Sequence, residues 1–236
     1  MKHQYVGDVN DFVKYGLIRA LTSYGQRSSF IAWLLTPDDD GTDGRRLAYL
    51  DQPTLWRAHD PELFDRLNSL VQSGERSVDA VAASGILPGA RFFSELVPQA
   101  RDARQTSFRK LLHEAAGCEL VFFDPDNGLE VASCPPGRRE SSKYLLWREL
   151  ADTYLAGHSV LIYQHFPRKP RDEYIDAMSS RIGDTTGACE VLAFRTDHVV
   201  FFLAPQQSQT EVYASSMDAI SRRWSGLIDS VLIAVA

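Results

Sequence analysis

Cysteine is scarce in this chain, and what little there is does not pair. The 236 residues hold three cysteines, Cys118, Cys134 and Cys189, far apart and in no C-x-x-C arrangement. That pattern excludes a cysteine zinc site and a disulfide framework, and it predicts reduced thiols in a cytoplasmic protein. No apolar run is long enough to span a bilayer, so no membrane is expected among the partners. The opening Met1-Lys2-His3-Gln4-Tyr5 is polar and leads straight into a helical pattern, which predicts no signal peptide. An excess of positive charge is missing too: 25 Lys and Arg face 31 Asp and Glu, for a net charge of −6. This does not advertise a general polyanion binder, although a local basic patch can sit on an acidic protein. Internal repeats, low-complexity tracts and linkers are absent, which excludes repeat arrays.

What is present is an ordinary globular composition, 44% hydrophobic and 24% charged. The length suits one large α/β domain spanning 1–236, with a core that needs no covalent staples. Asp8 or Asn10 can cap a helix running to about Leu21. Phe30 to Leu35 is a short continuous apolar run, the pattern of a strand buried on both faces. Pro61 to Val71, capped by Asp60, and Val78 to Ala83 read as helices of an insert, approximately 51–89, over the sheet's top edge. Ala90 to Phe93 is a strand and Arg101 to Ala116 a helix with Phe108, Leu111, Leu112 and Ala115 on one stripe. Strand Leu120 to Phe123 follows, then a helix capped by Ser142, strand Ser159 to Tyr163, and helix Asp172 to Ile182. Cys189 to Arg195 and His198 to Ala204, separated by Thr196-Asp197, predict an antiparallel hairpin. Thr210 to Trp224 is helical, and Leu227 to Val235 fits strand or helix. The order predicts a Rossmann-like, mostly parallel sheet with helices on both faces and an antiparallel C-terminal hairpin.

The densest polar cluster follows the third apolar strand, in Phe123-Asp124-Pro125-Asp126-Asn127-Gly128-Leu129-Glu130. Ligands of open α/β sheets sit outside the carboxyl ends of strands, so this strand end is the first candidate site. A second acidic strand end is Asp38-Asp39-Asp40-Gly41-Thr42-Asp43-Gly44.

The layout resembles class I S-adenosylmethionine-dependent methyltransferases, and most of all the ribosomal-RNA adenine-N6 methyltransferase J family. The resemblance rests on Gly7-x-x-x-Asp11-x-x-Lys14-Tyr15, on the acidic Gly-containing loop from Asp38 to Gly44, and on Phe123-Asp124-Pro125-Asp126-Asn127. It implies a methyltransferase with S-adenosylmethionine as cofactor, acting on a nucleobase amine in nucleic acid or a nucleotide. Asp124, Asp126 and Asn127 then stand at the acceptor amine, and Asp11, Lys14, Asp38, Asp40 and Gly41 border the cofactor. Asp126-Asn127 replaces the Pro-Tyr of that family's Asp-Pro-Pro-Tyr, so no aromatic stacks there on a flipped-out base.

The residues also admit other readings. Asp124 to Gly128 can be a capped turn in which Asp and Asn bond their own backbone. Asp38, Asp40, Asp124, Asp126 and Glu130 are hard oxygen donors suited to Mg²⁺ or Mn²⁺, which with His165 would make a metal-dependent nuclease or phosphohydrolase. His165, after a buried strand, is a structural histidine or a general base. Asp11 and Lys14 can be a plain i, i+3 surface pair. Arg138 with Lys143, and Arg168 with Lys169, can hold phosphates around the acidic centre, with Phe166 as a stacking face. A non-catalytic nucleic-acid-binding module is the third reading.

Overall fold

The structure, a computed structural model, describes residues 1–39, 41 and 44–235. Helix α1 (Val9–Leu21) precedes β1 (Ser29–Ala32). Helices α2 (Pro53–Trp56), α3 (Pro61–Ser73) and α4 (Val78–Ser84) lead to β2 (Ala90–Phe93). Then come α5 (Arg101–Ala115), β3 (Leu120–Phe123), α6 (Trp147–Leu155), β4 (Ser159–His165) and α7 (Arg171–Thr186). The chain closes with β5 (Glu190–Arg195), β6 (Val199–Ala204), α8 (Thr210–Arg223) and β7 (Asp229–Ala234).

The strands form one seven-stranded sheet in the order β2-β1-β3-β4-β6-β5-β7. Strands β2, β1, β3 and β4 are parallel, and β6, β5 and β7 continue the sheet by antiparallel pairing. The protein is therefore α/β with the expected antiparallel C-terminal hairpin. The last apolar run resolves as strand, because β5 offers it a free edge in register from Glu190–Ala234 to Arg195–Asp229.

The continuous apolar runs have a simple cause. Successive side chains of a strand point to opposite faces, and here both faces are covered. Ile31, Trp33, Phe122, Leu161 and Tyr163 enter the core beneath α1, α3, α4 and α8. Phe30, Ala32, Leu34, Val121, Phe123 and Ile162 enter the one beneath α5, α6 and α7. Burying one such Leu, Ile or Phe side chain is worth about 1.5–3 kcal/mol. In α1, Gly16 admits the Trp224 ring so closely that a Cβ would lie 2.0 Å from it. The helices between β1 and β2 contribute Leu63, Phe64 and Leu67 to the core that holds α1 and α8.

The helix predicted to start at Ser142 begins at Trp147 instead. Residues 141–143 form a 3₁₀ turn, and the backbone of 127–130 captures the next stretch: Leu145 N–H donates to Gly128 O and Glu130 N–H to Leu145 O. No helix among the described residues is long and apolar enough to cross a membrane.

Candidate functional site

From β1 the chain passes to β2 on one side, then crosses to β3 on the other. Open sheets bind ligands where the strand order reverses in this way, at the strands' carboxyl ends. At that switch point, between the ends of β1 and β3, opens a cleft of about 720 Å³. Leu34, just past β1, adopts φ +44°, a left-handed conformation rare outside glycine. Its side chain is buried, so packing holds the strained backbone in place.

Asp124 directly follows β3 and is 3% exposed. Its Oδ2 accepts from Lys14 Nζ at 2.6 Å, and Lys14 also donates to Asp11 Oδ1 at 2.8 Å. Asp11 in turn accepts the Gly7 N–H at 3.0 Å, which ties the start of α1 to the same network. Lys14 lies within 5.2 Å of the Tyr163 ring centre, a cation–π contact. Burial, the largest influence, would lower the Lys14 pKa, but Asp11 and Asp124 outweigh it and hold the ammonium above its usual range. Burial pushes the Asp11 carboxyl up, with Lys14 opposing. The expected surface pair of Asp11 and Lys14 is therefore a buried triad with Asp124.

Met1 lies across the same strand ends. Its amine donates to Asp124 O at 2.9 Å and sits 2.6 Å from Asp126 Oδ1, and Thr36 N–H donates to Met1 O at 3.0 Å. Thr36 Oγ1 donates to the other Asp126 oxygen. Lys2 pairs with Asp39. Arg76 clamps the segment from below, donating to Val6 O at 2.7 Å, to Gln4 O at 2.8 Å and to Gly44 O.

The turn after Asp124 depends on Gly128, at φ +87°. Gln164 Oε1 accepts the Leu129 N–H at 2.7 Å and lies 2.2 Å from where a Gly128 Cβ would be. Asn127 N–H donates to Lys143 O at 2.9 Å, so the turn draws Lys143 and Tyr144 to the cleft wall. Buried Arg104 secures that wall from α5: it pairs with Glu149 at 2.7 Å and donates to Ser141 O at 2.7 Å and to Tyr144 O.

Of the residues singled out from sequence, Asp11, Lys14, Asp124, Asp126, Asn127, Lys143 and His165 line the cleft. His165 is edge-on to Tyr163 at 5.0 Å. Desolvation lowers its pKa from the usual value, with Asp124 pulling the other way.

Others do not line it, for identifiable reasons. Asp38 is exposed and receives the Gln4 N–H at 3.4 Å, while its neighbour Asp39 faces the cleft. Gly41 is exposed, its N–H bonded to Asp39 Oδ1 at 3.1 Å. Asp40 lies outside the described residues. Glu130 accepts the Trp147 N–H at 3.2 Å at the start of α6 and is not in the cleft. Phe166 projects to the opposite face of the sheet, against Tyr174 at 6.1 Å. Arg138, Arg168 and Lys169 are exposed on loops outside the cleft. Among the described residues, no three His, Cys, Asp or Glu side chains converge as metal ligands.

Sequence reasoning passed over Met1, Lys2, Tyr5, Asp39, Arg46 and Tyr144 as cleft residues. Nothing in local sequence marks Met1 or Arg46. Tyr163 and His165, by contrast, share a face by simple alternation once β4 is extended through His165.

No family model matches the chain. No curated protein matches it either. Among solved structures it is similar to the crystal structure of protein LPL1258 from Legionella pneumophila str. Philadelphia 1, described with the family model DUF519. That match has 10% identity and a TM-score of 0.47, over 98% of each chain. A likeness that distant carries no argument about function.

Proposed function

We propose that the cleft binds S-adenosylmethionine and that the protein is a methyltransferase acting on a nucleobase amine, in nucleic acid or a nucleotide. The observation that carries the reading is Asp124 at the switch point, with one carboxylate oxygen fixed by Lys14 and the residue facing the cleft. Among the described residues its Oδ1 has no hydrogen-bond partner, and the residue lines the cleft, which leaves that oxygen as the candidate acceptor. The volume is in the range of cofactor sites.

The side chains present fit the group's chemistry. Asp8 and Asp39 would take ammonium or ribose hydroxyls, Lys2 a carboxylate, and Tyr5 and Tyr144 would flank a ring. The bound group supplies an electrophilic methyl on sulfur. Asp124 Oδ1 would accept an N–H of the acceptor amine and turn the nitrogen lone pair toward the methyl, without acting as a strong base. Lys14 holds the Asp124 side chain in place through a 2.6 Å hydrogen bond, which gives the preorganised acceptor that electrostatic catalysis needs. Asn127 and His165 would contact the acceptor's ring edge, and Lys143 an adjoining phosphate.

The alternative, a hydrolase using Mg²⁺ or Mn²⁺, has weaker support. Asp124, the carboxylate at the switch point, already faces buried Lys14. A divalent ion would have to displace it.

Isothermal titration with S-adenosylmethionine and with its demethylated product tests the reading. Saturable heat with both is expected. No heat at millimolar ligand overturns it, and then nucleic-acid binding without cofactor response would favour a non-catalytic module.

A further inference from the structure

Beside the cleft lies a second cavity of about 470 Å³, and the two share Asn10 and Arg46. Its floor is aromatic and aliphatic, formed by Val13, Tyr49, Trp56 and Leu227. Trp56 is half-buried, held edge-on by Phe12 at 6.1 Å and by Tyr49 at 5.5 Å. Exposed Arg45 and Arg46 stand on its rim, and Asp197 and His198 of the β5–β6 turn also line it.

We infer that this second cavity receives a nucleotide flanking the one in the cleft, so that the substrate is single-stranded nucleic acid rather than a free nucleotide. The inference rests on the proposed function and extends it. Two linked nucleotides need a cation where their phosphodiester crosses, and Arg46 stands at the seam of the two cavities. The flanking base needs a π surface, which half-buried Trp56 provides. Only a single strand, a loop or a splayed end exposes base faces to such a floor; a duplex hides them in its stack. A net charge of −6 does not oppose such binding, because the phosphate would meet the local cation Arg46 rather than the whole surface.

The test compares adenosine 5′-monophosphate with a single-stranded adenylate trinucleotide, by competition against a labelled trinucleotide on the full chain. The trinucleotide is expected to bind about tenfold or more tightly than the monophosphate, the usual gain from one stacked base. Trp56→Leu should erase most of that gain and leave the monophosphate unchanged. Arg46→Ala, at an exposed position, should lower the slope of log affinity against log salt by about 0.7, one phosphate contact on a single strand. Equal affinities for the two probes, no binding of either, or a gain that survives Trp56→Leu overturns the inference. The S-adenosylmethionine titration separates the failures: saturable heat without a trinucleotide gain rejects only the second cavity's role. A gain without that heat rejects the methyltransferase reading and leaves the strand-binding surface standing.

Discussion

Lys14 Nζ and Asp124 Oδ2 meet at 2.6 Å across 110 residues of sequence, joining α1 to the end of β3 with both side chains buried. Asp11 completes the triad at 2.8 Å. Burying three charges is costly, but removing one partner from such a set costs more, because the others are left uncompensated. Lys14→Met is therefore expected to destabilise the protein by about 3–5 kcal/mol. In the background of Asp124→Asn the same substitution should cost clearly less, since the two share one interaction. Urea denaturation of the four proteins in this cycle measures the coupling, and strict additivity would show that the pair is not one unit.

The charge on Lys14 also fixes a pH window. Its pKa is held above 10.5, because Asp11 and Asp124 outweigh burial. A raised pKa in the folded state gives stability that is complete below the unfolded value and is lost as pH rises through the folded one. The stability difference between wild type and Lys14→Met should thus stay flat from pH 7 to about 10 and shrink only above that. Carbon-13 NMR of the lysine ε position checks it directly: a Lys14 signal titrating near neutrality would mean that burial, not pairing, wins.

His165 runs the opposite way. Desolvation holds its pKa below 6.5 against the pull of Asp124. Its contribution to stability is present above 6.5 and is lost as pH falls through the lower folded value. By proton NMR the ring should titrate below 6.5 in wild type, and lower still in Asp124→Asn, where the opposing charge is gone. A rise on that substitution would contradict the assignment.

The strands were legible because both-face burial writes itself as unbroken apolar runs, as in Phe30 to Leu35 and Leu120 to Phe123. Asp124 was legible for the same reason, since a carboxylate directly after such a run must lie at a strand end. Its partner was not: Asp11 and Lys14 at i, i+3 read as a surface pair until strand order places α1 over β3's end. Phe166 was less legible, because β4 runs past the apolar run that ends at Tyr163, to His165. Two more strand residues put Phe166 on the far face, beside Tyr174. The Asp38 to Asp40 run has no periodicity, so nothing local distinguishes Asp39, which faces the cleft, from Asp38, which does not. The clamp of Arg104 on the 141–149 segment is likewise tertiary, joining α5 to Ser141 and Glu149, 37 and 45 residues on in sequence.

Glu130 separates the metal reading from the structural one. Its carboxylate accepts the Trp147 N–H at the head of α6, 3.2 Å away. Glu130→Ala should cost about 0.5–2 kcal/mol, the usual loss of a helix-start acceptor, and leave nucleotide and S-adenosylmethionine affinity unchanged. A Mn²⁺-dependent thermal shift present in wild type and absent in Glu130→Ala would instead restore the carboxylate set as a metal site.

Gly128 offers the sharpest test of how the site is held in shape. Its φ of +87° disfavours any side chain, and a Cβ there would lie 2.2 Å from Gln164 Oε1. Gly128→Ala therefore carries a backbone penalty of about 1–2 kcal/mol. It also displaces Gln164, leaving the buried Leu129 N–H without its 2.7 Å acceptor, at a further 1–3 kcal/mol or so. Adding Gln164→Ala removes the clash but neither the strain nor the lost bond, so the double variant should recover only part of the stability. The same turn sets Asn127 and, through its N–H to Lys143 O, the cleft wall. Ligand affinity should consequently fall in Gly128→Ala even at temperatures where the protein remains folded. Full recovery of stability in the double variant would mean that crowding by Gln164, rather than backbone conformation, is what demands glycine there.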